Sequence, residues 1–200
     1  MKILKRLTAF TLIELLVVIS IIAILASLAL PAITGALVQG QMTQTVSNMK
    51  QLHLVAQQIA LDGSTSGDTN LAWPGDLPTK NWQTWAALVT NGYMTVTDFA
   101  KMCSAPSVTA LTNTIVSGST PGTSRAIIAY QVSETNDSSV VLFTTSNFTN
   151  QASPVAPVSS AKPYGNKGFV VYRKGGDGGI IKPNQATNTN IIGGFASQLN

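Results

Sequence analysis

A chain of 200 residues with one cysteine, one histidine, 12 basic and 8 acidic side chains suits one ordinary domain with an appendage. A single Cys makes no intrachain disulfide, the lone His53 makes no multi-histidine centre, and no Cys/His cluster is present for a structural zinc. The net charge of +4 is local: Lys2, Lys5 and Arg6 supply three charges, and the 9 basic and 8 acidic residues that follow nearly cancel, which is no footprint for nucleic acid.

In chain order, the first element is oily. Between Phe10 and Ile33, 19 of 24 residues are hydrophobic. A basic start before an apolar run has two ordinary readings, a secretory signal peptide and a transmembrane anchor whose basic flank stays cytoplasmic. Two residues suit neither. Glu14 puts a carboxylate into the apolar run, where a charge is disfavoured unless it finds a partner. Pro31 closes the run, and a proline inside a helix removes a hydrogen bond and bends or breaks it.

Beyond Pro31 a helical pattern continues. Val46, Met49, Leu52, Val55 or Ala56, and Ile59 recur at spacings of three and four, with Gln41, Gln44, Lys50, Gln51, Gln57 and Gln58 between them. Asp62-Gly63 reads as the stop, with Gly63 as the residue after the cap. One helix is therefore expected from about Phe10 to Leu61, bent near Pro31 and loosened at Gly35 and Gly40. Its first half is apolar all round. Its second half is amphipathic, so one face must pack on something. His53 reads as a half-exposed residue of that second half.

Residues 63–80 read as a loop, with Trp73-Pro74-Gly75-Asp76 a turn signal. Trp82, Trp85, Leu88 and Val89 fit a short helix ended by Asn91-Gly92, with Asn81 as its N-cap. The three tryptophans are either a ligand platform or caps on a helix–sheet core, and their large apolar area favours the core. Cys103 is either a small buried hydrophobe or a partner for a second chain. Ala126–Val132 and Val140–Thr145 flank a polar turn and read as a hairpin, and Gly168–Arg173 as a third strand. Such a sheet needs a partner layer, and the amphipathic half of the helix is available.

Residues 150–166, with Pro154, Pro157 and Pro163, read as a loop. The glycine cluster KGGDGG at 174–179 lacks the spacing of a phosphate loop. Its one carboxylate, Asp177, falls short of the roughly six to eight oxygens calcium takes, so it reads as a flexible turn. The uncharged stretch Pro183–Asn200 reads as a surface arm or a frayed tail.

The stretch AFTLIELLVVISIIAILASLALPAI, residues 9–33, resembles the N-terminal segment of type IV pilins and of the pseudopilins of type II secretion systems. NMKQLHLVAQQIALDG, residues 48–63, is similar to the following stretch of such proteins, less specifically. The resemblance implies a leader over residues 1–9, removed on the cytoplasmic side by a prepilin peptidase that cuts between Ala9 and Phe10 and N-methylates Phe10. Ala9 departs from the family's usual glycine. Residues 10–33 would be the transmembrane and fibre-core helix, Pro31 its bending proline, and 34–200 the globular domain.

The resemblance further implies that Glu14 of one subunit meets the Phe10 amine of another. The expected fold is α+β and pilin-like, a long N-terminal helix on a small antiparallel sheet. The expected function is structural, with no catalytic residues, metal or cofactor. The expected partners are copies of the chain, other pilins or pseudopilins, the peptidase, an inner-membrane assembly platform and membrane lipid, and no nucleic acid. The body would lie outside the cytoplasm, first membrane-anchored and then in a periplasmic or extracellular fibre. A single Cys cannot make the C-terminal disulfide loop common in type IV pilins, and the Gly-Asp-Gly run is vaguely similar to a calcium loop of major pseudopilins. Both lean toward secretion. The alternatives are a minor pilin acting as an adhesion or DNA-capture module, and a membrane-anchored enzyme.

Overall fold

The computed structural model of the chain describes residues 10–78, 83–110, 125–149, 156–157 and 162–185. Its first element, α1, is a helix of 55 residues, Leu12–Ser66. It is continuous through Pro31, Gly35 and Gly40. Pro31 has no N–H to offer the preceding turn, and Thr34 Oγ1 donates to the Pro31 carbonyl at 2.9 Å.

The helix ends later than Asp62-Gly63 suggests. Gly63 is a buried residue within it, and a Cβ there would lie 1.5 Å from the Leu71 carbonyl oxygen. The glycine is thus required by the returning chain, not by a helix stop. The left-handed residue after the helix is Gly67, with φ +73°, whose N–H donates to the Gly63 carbonyl at 2.9 Å.

The chain forms two compact units, Met1–Gln39 and Gly40–Asn200. In the first, every described residue from Phe10 to Leu37 is exposed, large apolar side chains included. This stretch of α1 is long and apolar enough to cross a membrane.

Among the described residues the second unit holds the rest of α1, two short α-helices and two sheets. α2 spans Gln83–Thr90 and gives way to Gly92, whose φ is +79°. α3, Val96–Met102, was not legible as a helix from the sequence. Thr95 caps it, its Oγ1 accepting from the Asp98 N–H at 3.1 Å, and Phe99 and Ala100 are its buried residues. The strands are β1 (Ile127–Ala129), β2 (Val141–Thr145), β3 (Phe148–Thr149), β4 (Ala156–Pro157), β5 (Phe169–Arg173) and β6 (Gly178–Ile181). β1, β2, β5 and β6 form an antiparallel sheet in the order β1-β2-β5-β6, and β3 pairs with β4. The three expected strands are present, and β6 adds a fourth. KGGDGG thereby becomes the turn of a hairpin and the start of β6, with Tyr172 opposite Gly178 and Phe169 opposite Ile181.

Within this unit α1 packs on the four-stranded sheet. Met42, Thr45, Met49, Leu52, His53, Ala56, Ile59 and Gly63 are its buried residues, a stripe at three-to-four spacing. Val46 and Val55, at the edge of the stripe, are half-buried. His53 corrects the sequence reading. It is only 4% exposed, and its Nδ1 lies 3.1 Å from the Tyr172 hydroxyl on β5. Thr45 Oγ1 and Tyr164 Oη, 2.7 Å apart, make a second helix-to-body hydrogen bond, and Tyr164 also donates to the Gln41 carbonyl.

The core closes around a ring of aromatic side chains. His53 meets Trp73, Trp73 meets Trp85, Trp85 meets Phe143, Phe143 meets Tyr172, and Tyr172 returns to His53, with centroid separations between 4.7 and 6.3 Å. β2 is buried at all five positions, so both faces of the sheet are covered at its centre.

Candidate functional site

The N-terminal segment is built by local chemistry. Phe10 and Thr11 precede the helix, and Phe10 is 74% exposed. The first amides of a helix lack intrahelical acceptors. Thr11 Oγ1 accepts from the Glu14 N–H at 3.3 Å. Glu14 Oε2 reaches back to accept from the Thr11 N–H at 2.9 Å and from the Thr11 hydroxyl at 2.6 Å. This reciprocal pair is a capping box, and Thr-x-x-Glu before an apolar run is its sequence signature, a signal that the reading of Glu14 as a fibre residue passed over. Glu14 Oε1 has no partner among the described residues. Ala9 lies outside the described residues, as do Asn81 and Trp82. Pro31 lies one helical rise after another along the same exposed rod and shares no local contact with Glu14.

Elsewhere the structure settles several smaller expectations. Trp73 and Trp85 are core residues, 4% and 0% exposed, as their large apolar area favoured. Trp73 Nε1 donates to the Val132 carbonyl at 2.6 Å. Cys103 is buried, and burial pushes its thiol up to about 12, with the Arg125 charge opposing. Such a thiol is neither ionised nor accessible for pairing with a second chain.

Asp177 is ion-paired with Arg173 across the β5–β6 turn. The same turn carries Lys174, whose ammonium donates to the Glu134 carbonyl and, at 2.6 Å, to the Asn136 carbonyl. This lysine ties the 133–139 loop to the turn, a role that only the folded chain reveals.

An open cleft of about 580 Å³ lies beside α1, with His53, Gln57, Trp73, Glu134 and Lys174 in its wall. Burial first, and the Lys174 charge second, hold the His53 imidazole below its ordinary protonation range. Its Nδ1 lies against the Tyr172 hydroxyl, which ties the imidazole to β5.

Comparison with known proteins bears on the N-terminal segment. No curated protein and no solved structure matches the chain. Residues 5–30 match the family model of the prokaryotic N-terminal methylation motif, which takes in Phe10 and Glu14 and stops just before Pro31. The motif implies processing by a prepilin peptidase and assembly with other pilins, and with the apolar helix it fits a membrane-anchored protein. The chain thus carries the N-terminal methylation segment that is the hallmark of type IV pilins and pseudopilins, ahead of an α+β body of pilin-like arrangement.

Proposed function

We propose that this chain is a structural subunit of a helical fibre, a type II secretion pseudopilus or a type IV pilus-like filament. The observation that carries the reading is the methylation motif at residues 5–30, joined to a helix whose apolar side chains are all exposed from Phe10 to Leu37. Such a rod is at home in lipid and equally at home among copies of itself, since neighbouring apolar helices are as good a solvent as acyl chains. The leader is cut between Ala9 and Phe10, Phe10 is methylated, and the body is carried across the membrane while Lys2, Lys5 and Arg6 stay behind.

Cleavage creates a cationic amine on Phe10. Glu14 holds its own helix end through Oε2 and leaves Oε1 for the Phe10 amine of a neighbouring subunit. A charge pair of this kind, withdrawn from water by the surrounding helices, sets the axial register of assembly, because a subunit out of register leaves both charges unpaired. Pro31 gives the rod a point where the backbone ladder lacks a bond and bends at low cost as it leaves the bilayer. The role is structural rather than catalytic.

Mass spectrometry of the N-terminus, in cells with and without a prepilin peptidase, tests this. The expected product begins at N-methylated Phe10 only when the peptidase is present. A chain beginning at Met1 in both cells overturns the reading and leaves an anchored membrane protein.

A further inference from the structure

The chain contains two Asn-x-Ser/Thr triplets, Asn136-Asp137-Ser138 and Asn147-Phe148-Thr149. This pattern is the acceptor signature of N-linked glycosylation in exported proteins. The fold treats the two in opposite ways. Asn147 is fully buried, and its Nδ2 is spent on the carbonyls of Gly165 and Gly168 at 2.9 and 2.7 Å. Asn136 lies in the β1–β2 loop, where every residue from Glu134 to Ser139 is exposed. Its Oδ1 accepts from the Ser133 N–H at 2.7 Å, and its Nδ2 has no partner among the described residues. The amide nitrogen is therefore presented to solvent with its carbonyl end held.

The flanking residues separate the two further. Two positions before Asn136 stands Glu134, exposed and with no ion pair among the described residues, so that the stretch reads Glu-x-Asn-x-Ser. Two positions before Asn147 stands Thr145, buried in β2. An exposed carboxylate at that place offers an incoming enzyme a charge to pair with, which the buried Thr145 does not. The Asp137 carboxylate is turned onto the Ser139 N–H at 2.8 Å, which leaves the Ser138 hydroxyl open on the same exposed loop.

We propose that Asn136 is an N-glycosylation acceptor, modified by a membrane oligosaccharyltransferase from a lipid-diphosphate-linked oligosaccharide. The new bond joins Asn136 Nδ2 to the anomeric carbon of the first sugar. The bond that breaks is the one from that carbon to the diphosphate oxygen. The leaving lipid diphosphate takes the electron pair, and the amide gives up one proton. The proposal rests on the part of the functional reading that carries the body across the membrane, and needs no fibre.

The test is expression of the full chain in bacterial cells that hold such a transferase and its lipid-linked glycan, followed by peptide mapping. The expected result is one glycan on the peptide containing Asn136 and none on that containing Asn147. Asn136→Gln and Ser138→Ala should abolish it, and Glu134→Gln should lower occupancy at least tenfold, while the Ser138→Ala and Glu134→Gln chains keep the wild-type thermal melt. Protease digestion of spheroplasts reports export of the body separately. An exported, folded chain with bare Asn136, beside a control acceptor glycosylated in the same cells, overturns this proposal alone. A glycan on Asn147 overturns it too. A body protected from protease overturns both this proposal and the topology of the functional reading, whereas glycan without fibre supports this one and counts against assembly only.

Discussion

Leu12–Leu37 and Met42–Gly63 belong to one helix, yet their apolar side chains meet different surroundings. In the first stretch every side chain is exposed. In the second, Met49, Leu52, Ala56 and Ile59 are fully buried against the body, and the opposite face carries Gln44, Lys50, Gln51 and Gln58. The lesson is about where stability comes from. A long helix is not held by propensity alone; an amphipathic face is stabilised by what it packs on. Among the described residues the N-terminal stretch has no such layer, and its length and apolar character suffice to cross a membrane. The C-terminal stretch is part of a core.

The sharpest way to break the comparison is at Glu14. Glu14→Ala removes the carboxylate proposed above to meet the Phe10 amine, and with it half of the capping box. It should reduce fibre yield to background while the thermal melt of the detergent-solubilised full chain stays as in the wild type. Normal fibres from this variant would remove the register role.

The next effect separates exposed from buried leucines on the same helix. Leu52→Ala leaves a cavity in the core and should cost about 2–5 kcal/mol in chemical denaturation of the body. Leu25→Ala, at a side chain 62% exposed, should leave that transition unmoved. Equal losses from the two would mean that the rod and the core fold as one packed unit.

Glycines sharpen the contrast at a smaller scale. A methyl group at Gly63 collides with the Leu71 carbonyl, so Gly63→Ala should destabilise the body by about 1–3 kcal/mol or more. Nothing lies within 4 Å of a Cβ built at Gly35. Gly35→Ala should therefore favour the helix by roughly 0.5–1 kcal/mol, read as helicity of the micelle-bound chain by circular dichroism.

The smallest effect is that of pH. His53 is held below its ordinary value of 6.5 in the folded body, by burial first and Lys174 second. The unfolded chain therefore binds the His53 proton at higher pH than the folded one. The contribution of neutral His53 is complete above about 6.5 and falls as the pH drops from there toward the lowered folded value. Denaturation midpoints taken across this range should show that slope, and His53→Gln should flatten it. An unchanged slope in the variant would place the titrating group elsewhere.

Local chemistry is what the sequence by itself determined. The basic start, the apolar run and Glu14 are legible as a linear motif, matched at residues 5–30, because such a motif needs no fold to be read. The Thr11–Glu14 cap is of the same kind. Continuous runs of apolar residues beside polar turns marked three of the four strands, and the heptad-like spacing from Met49 to Ile59 marked the buried face of the helix, because periodicity reports which side is apolar. It does not report what covers that side. His53 sits on the buried stripe but is polar, and only Trp73 and Tyr172, brought in from distant chain, decide that it is buried. Asp62-Gly63 looks like a helix stop because both are poor helix formers, and only the Leu71 backbone lying on Gly63 shows that the glycine serves close packing. β6 consists of Gly178-Gly179-Ile180-Ile181, too weak a strand pattern to stand alone, and it forms because β5 offers it an edge. Lys174 reads as one more surface cation until the fold places two carbonyls of the 133–139 loop against its ammonium. Each of these depends on residues far apart in the chain, whose meeting only tertiary packing can arrange.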